Sequence, residues 1–148
     1  MADASKASGF SAEEKAAMKE AAAERRAQEK RAKEVGAAAA DLADVLEKIA
    51  AMPEPDRSLA TKVHDIVLAA CPDLAPKTWY GMPAYALNGK TICFFQNASK
   101  FKYRYSTLGF QDAANVDEGD FWPVAYAVVS IDKATEKRIT ELVKRAVS

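Results

Sequence analysis

At 148 residues, with 49% apolar and 28% charged side chains, the chain has the composition of one soluble globular domain with a real core, and it is short for two. Its formal net charge is zero, so the surplus of Lys and Arg that neutralises phosphate is missing and nucleic acid is not an expected partner. No apolar run approaches the roughly 18 residues of a membrane span. The opening MADASKASGF has neither the basic region nor the apolar stretch of a secretory signal, and a cytoplasmic location is expected. Cys71 and Cys93 form no CxxC or zinc pattern and read as small, reduced, semi-buried residues.

The first predicted element starts at Ser11, which can cap a helix, with Glu14 three residues on to complete a capping box. Ala12 to Val35 is almost all Ala, Glu, Lys and Arg, strong helix formers. A continuous apolar stripe is missing, so this helix is expected to project, fray or dock only lightly, or to serve as a contact element for a protein partner. Gly36 breaks it. Leu42, Val45, Leu46 and Ile49 then follow the i, i+3, i+4, i+7 rule of an amphipathic helix that ends at Pro53 and Pro55. Asp56 can cap a second such helix, carrying Leu59, Val63, Ile66, Val67 and Ala70, which stops before Pro72.

Asn88-Gly89 between two β-rich runs is the strongest local hairpin signal, because a type I′ turn needs positive φ at both central positions. Leu87 then faces Lys90, Tyr85 faces Ile92 and Pro83 faces Phe94, while Ala84 meets Cys93 and Met82 meets Phe95 on the other side. Pro83 cannot donate to a ladder, so this strand is an edge or bulged there; Gly81 lets another group approach closely. Phe101, Tyr103 and Tyr105 alternate with Lys102, Arg104 and Ser106, which predicts a third strand pairing Phe94 with Tyr103 and Ile92 with Tyr105. The bulky rings all fall on the Tyr85 side, turned toward the helices.

Leu108 to Pro123 is a long connection holding Asp112, Asp117, Glu118 and Asp120, then Phe121-Trp122-Pro123. Ala125 to Ile131 predicts a fourth strand, and Asp132 caps a last helix with Ile139, Leu142, Val143 and Ala146. The expected fold is α+β: a four-stranded antiparallel sheet with helices packed on one face, in the order αα-ββββ-α, with an N-terminal helical extension. The division is an extension over 1–36 and a domain over 37–148.

No catalytic residue emerges. A nucleophile needs a base in reach and a third group to orient it. The only histidine, His64, lies well off the apolar stripe of its helix and reads as exposed or at the boundary. Gly89-Lys90-Thr91 echoes a phosphate loop but opens a strand, where a P-loop must open a helix. A non-enzyme with no required cofactor is expected. The strand register separates basic from aromatic side chains, against an RNA-stacking sheet. It places Tyr80, Met82, Phe95, Lys102 and Arg104 on the open sheet face beside Cys93, a surface suited to an anionic small molecule or an acidic partner. Trp122 and Phe121 either join this surface or fold over it as a small second core.

The residues TWYGMPAY followed by NGK, the aromatic strands and a C-terminal helix ending LVKRAV resemble the YdhG-like family over Asp41 to Ser148. Gly81-Met82-Pro83-x-Tyr85 with the following Asn-Gly is the most specific part. The family comprises small domains, most of unknown function, one branch of which is described as frataxin-like intracellular iron chaperones. The resemblance implies a sheet covered on one side by helices and, for function, a binding domain that handles iron. Loosely held iron suits exposed carboxylates, and Asp112, Asp117, Glu118 and Asp120 are their local concentration, in a spacing that fits no calcium loop; Glu47 and Asp65 are further acidic positions. The alternative is a small-anion or protein-binding module that uses the open sheet face, with the N-terminal helix as a second contact.

Overall fold

The computed structural model describes residues 9–31 and 36–148. Helix α1 spans Ala12–Arg31, α2 Ala37–Ala50 and α3 Asp56–Ala70; strands β1 (Ala75–Trp79), β2 (Met82–Leu87), β3 (Lys90–Gln96), β4 (Ser106–Phe110) and β5 (Ala125–Val128) follow, and α4 (Lys133–Ala146) ends the fold. The strands form one antiparallel meander in the order β1-β2-β3-β4-β5. The α+β class holds. The order is ααα-βββββ-α rather than αα-ββββ-α, with five strands in place of four.

Two of the three predicted caps form. Glu14 N–H donates to Ser11 Oγ at 3.1 Å while Ser11 N–H donates to Glu14 Oε1 at 3.3 Å, and Thr135 N–H donates to Asp132 Oδ1 at 2.8 Å. Asp56 does not cap. Pro55 holds that position, and the Asp56 carboxylate instead accepts from Ser99 N–H of the 3₁₀ turn Ala98–Lys100 at 3.0 Å.

The extra strand comes from a second tight hairpin. Tyr80 and Gly81 have φ of 52° and 74°, the same positive pair as Asn88 and Gly89 (52° and 80°), so Trp79 pairs with Met82 across a two-residue turn. A tyrosine in the left-handed region gives no composition signal, which is why β1 was not legible.

The predicted register holds only next to the Asn-Gly turn. Leu87 pairs with Lys90 and Ala86 with Thr91, but a bulge then shifts the ladder, and Tyr85 pairs with Cys93 and Ala84 with Phe94. One extra residue reverses the faces beyond it. Cys93 and Phe95, expected on the open side, are fully buried in the core. Phe94, expected inside, lies on the opposite face, over Gly109, where an added Cβ would collide with its ring. Trp79 stands beside it, with ring centroids 5.2 Å apart.

The third predicted strand is displaced along the chain. Ala98–Lys100 forms a 3₁₀ turn, Tyr103 N–H closes back on Ala98 O at 2.9 Å, and Lys102 has a φ of 59°. Phe101 to Tyr105 therefore form no strand despite their alternation. Phe94 pairs with Gly109 and Phe95 with Leu108, and Tyr103 is 52% exposed.

One core joins the helical layer to the inner sheet face: Val45 and Ile49 of α2, Leu59, Val63 and Val67 of α3, Ile139 and Val143 of α4, and Tyr85, Phe95 and Leu108 from the strands. The long loop belongs to this side. Ala114 and Val116 are buried in the core, Trp122 packs on it half-buried, and Asn115 N–H donates to Ala146 O at 2.9 Å. Trp122 thus neither joins nor covers the open face, and Phe121 is 95% exposed.

Candidate functional site

Starting from the β1–β2 turn, the residues that hold it come from α1. Gly81 N–H donates to Glu24 Oε1 at 2.7 Å. One turn further along α1, Gln28 Nε2 donates to Thr78 O at 2.8 Å. One turn the other way, Glu20 receives Lys48 Nζ of α2 at 2.7 Å and Lys100 Nζ at 3.3 Å. Near the start of α1, Glu13 pairs with Lys102 at 3.0 Å. Glu13, Ala17, Glu20, Glu24 and Gln28 are spaced by four, three, four and four residues, so they lie along one side of the helix. A stripe exists, but it is made of carboxylates and an amide. The helix is docked rather than projecting, and an apolar-periodicity reading is blind to docking of this kind.

Gly81 is where this packing is tightest. A methyl group there would sit 2.5 Å from Glu20 Oε1 and 2.6 Å from Lys100 Nζ, so the close approach expected at this glycine is that of an ion pair. The turn contributes a backbone N–H, α2 contributes Lys48, and the 3₁₀ turn contributes Lys100. Three separate elements thus converge on the carboxylates of a fourth.

The two glutamates experience this corner differently. Burial pushes the Glu20 carboxyl up, but the hydrogen bond from Lys48 and the charges of Lys100 and Lys48 outweigh it and hold the group below its usual range. At Glu24 burial wins. It raises the carboxyl against the Gly81 hydrogen bond, and the charge of Glu20 adds to the rise. Glu24 Oε2 is buried with no hydrogen-bond partner, a defect of about 1–3 kcal/mol. The Lys48–Glu20 pair, with side chains 43% and 32% exposed, returns roughly 0.2–1 kcal/mol. Among the described side chains of α1, Ala17 is the one buried apolar group, and a methyl group contributes only about 0.8 kcal/mol. Cavities of ≈ 290 Å³ and ≈ 230 Å³ flank Glu24 and Gln28, the first beside Lys48 and the second beside Trp79 and Tyr80.

The residues predicted for an open-face site separate. Tyr80 is half-buried at the turn, its ring edge-on to Trp79 at 4.9 Å. Met82 is 5% exposed on the strand that leaves the turn, and Phe95 is in the core. Lys102 and Arg104 lie in the segment before β4, not on the sheet; Lys102 meets Glu13, and Arg104 stacks on the Tyr105 ring at 5.1 Å. Tyr80 and Lys102 are thereby brought beside α1, and Met82, Phe95, Arg104 and Trp122 do not join them in one site. Sequence reasoning missed Lys48, Lys100, Glu20 and Glu24. The one usable signal was the close-approach glycine itself.

Asp112, Asp117, Glu118 and Asp120 are all exposed. Arg145 Nη1 donates to Glu118 Oε1 at 2.8 Å, and Arg145 also donates to Asp117 O, so this acidic stretch latches the loop to α4. Among the described residues no three His, Cys, Asp or Glu side chains gather as a metal site would require. His64 is 8% exposed rather than at the surface. Its Nδ1 lies 2.8 Å from the Tyr85 hydroxyl in a hydrogen bond, and burial holds its pKa below the usual value against the opposing charge of Asp65. A strand hydroxyl supplies the polar partner that widens the buried arc of α3. Cys93 is buried, and burial, then the neighbouring Cys71, push its thiol up to about 12.

No family model, no curated protein and no solved structure matches this chain. The resemblance to the YdhG-like family therefore stands on the motif residues alone. Among the described residues, no helix is long and apolar enough to cross a membrane.

Proposed function

We propose that this chain is a non-enzymatic binding domain that recognises carboxylate groups at the β1–β2 corner. The observation that carries the reading is the convergence of the Gly81 N–H, Lys48 Nζ and Lys100 Nζ on two carboxylates one helical turn apart. The donors are carried by a tight turn, a core helix and a 3₁₀ turn, three elements of the packed domain. Charge-assisted hydrogen bonds from backbone and ammonium groups are the strong kind, and an acidic partner is the ligand they suit. This keeps the anionic or acidic ligand expected from sequence and moves its site from the sheet face to the corner. Iron handling rests on the family resemblance, and among the described residues no gathered set of ligands supports it.

The test is amide NMR of the full chain titrated with citrate at low ionic strength, where exposed charges are least screened. Resonances of Gly81, Lys100 and Lys48 are expected to shift, and Lys100→Ala is expected to suppress the shifts. Shifts confined to other residues, or none, would refute the reading.

A further inference from the structure

We propose that α1 is the corner's own built-in ligand, a strap whose Glu20 and Glu24 occupy the site until an acidic helix of a partner protein displaces it. The inference rests on the reading of the corner as a carboxylate site.

The contrast between α1 and the other helices carries it. Val45 and Ile49 fix α2, six side chains from Leu59 to Val67 bury α3, and Ile139, Val143 and Ala146 fix α4. Helix α1 buries Ala17 and otherwise holds on through Glu13, Glu20, Glu24 and Gln28. A contact made of polar groups is one that water and another polar ligand can replace. It is also imperfect, since Glu24 Oε2 is enclosed without a donor. A competitor that leaves its second oxygen in solvent would match the Gly81 contact without that defect.

The ligand class follows from the geometry of the occupant. Glu20 and Glu24 stand at i and i+4, so any helix with two carboxylates one turn apart can reproduce both contacts. Among the described residues, the hydrogen bonds and ion pairs that hold α1 at the corner go to its side-chain ends. Lys102, 79% exposed, extends the basic surface along the direction in which a longer acidic helix would run. Release of α1 would also free Thr78 O, which Gln28 now satisfies, and the Trp79 and Tyr80 rings that border the adjoining cavity. The open form would then present apolar as well as cationic surface.

The experiment uses the full chain, its double variant Glu20→Ala with Glu24→Ala, and a labelled synthetic peptide of residues 10–31, read by fluorescence polarisation. An occluded site weakens apparent affinity by the fraction of molecules that are open. The double variant is expected to bind the peptide about tenfold or more tightly than the native chain, and adding Lys100→Ala is expected to abolish the gain. Equal affinity of native chain and double variant, still sensitive to Lys100→Ala, overturns the strap while leaving the carboxylate site intact. Absence of binding to every variant overturns both. Hydrogen exchange gives a second readout: amides of α1 are expected to exchange far faster than those of α2 to α4, with the Gly81 amide among the fast set. Equal protection of α1 and α2 also overturns the strap.

Discussion

The Gly81 amide and the Glu24 carboxylate, 57 positions apart in the chain, meet at 2.7 Å. That single hydrogen bond ties the most distinctive stretch of the sequence to the segment that looked least structured. It makes Gly81 the hub of the corner, since the residue supplies the donor, the left-handed turn and the space for Glu20 and Lys100.

Gly81→Ala is accordingly expected to destabilise the domain. Its φ of 74° is unfavourable for an alanine, and the added methyl would meet Glu20 and Lys100. A loss of about 1–3 kcal/mol is expected by urea denaturation. An unchanged midpoint would mean that the turn tolerates a side chain and that α1 is not held there.

Glu24→Gln is expected to stabilise the chain at neutral pH. The folded carboxyl is raised, mainly by burial, so the unfolded state binds fewer protons than the folded one between pH 4.5 and the raised value. The native chain thus holds the full Glu24 contribution below pH 4.5 and loses it as pH rises through the folded pKa. Urea midpoints of both chains are expected to differ at pH 7 and to converge in acid. A difference that persists in acid contradicts this account.

His64 gives the opposite slope. Its folded pKa is lowered by burial from 6.5, so the unfolded state takes up the proton first and stability falls as pH drops below that value. His64→Gln is expected to flatten the profile in this window. Tyr85→Phe, which leaves His64 Nδ1 enclosed and unpaired, is expected to lower stability by about 1–3 kcal/mol. Identical pH profiles for native chain and His64→Gln would show that His64 titrates freely.

The two thiols are expected to react in sequence. Cys93 is buried with its thiol raised to about 12, whereas Cys71 is half-buried at the end of α3. Treatment with a thiol reagent at pH 8 should modify Cys71 in the folded protein and Cys93 only on unfolding. Prompt modification of Cys93, mapped by mass spectrometry, would place it outside the core.

Phe95 and Phe121 should bracket the range of phenylalanine effects. Phe95 is fully buried and Phe121 is 95% exposed. Phe95→Ala is expected to remove about 3–5 kcal/mol and Phe121→Ala within about 0.5 kcal/mol of nothing. Comparable losses would invert the sheet faces described above.

The features legible in the sequence were those settled locally. Ser11 with Glu14, Asp132, and Asn88-Gly89 act through neighbours in the chain, and each adopts the expected geometry. The apolar stripes of α2, α3 and α4 were likewise readable, apart from Leu46 of α2, which is 48% exposed. What failed depended on distant partners. Pro83 pointed to an edge or a bulge at its own position, but β2 is an interior strand and the bulge falls at Tyr85/Ala86, where it exchanged the roles of Phe94 and Phe95. The alternation from Phe101 to Tyr105 was real as a pattern, but the 3₁₀ turn before it and the positive φ at Lys102 spent those residues on a compact reversal. The corner itself was hidden because α1 docks through charges, and periodicity searches weigh only apolar groups.

The chain has two tryptophans, and the sheet keeps them apart. Trp79 borders a cavity together with Ala21 and Arg25 of α1, while Trp122 packs against the core on the helical side. A Trp122→Phe chain would therefore carry a single tryptophan, selectively excited at the red edge of its absorption, beside α1. Departure of α1 would shift its emission maximum, so release could be timed in a stopped-flow instrument without any attached dye.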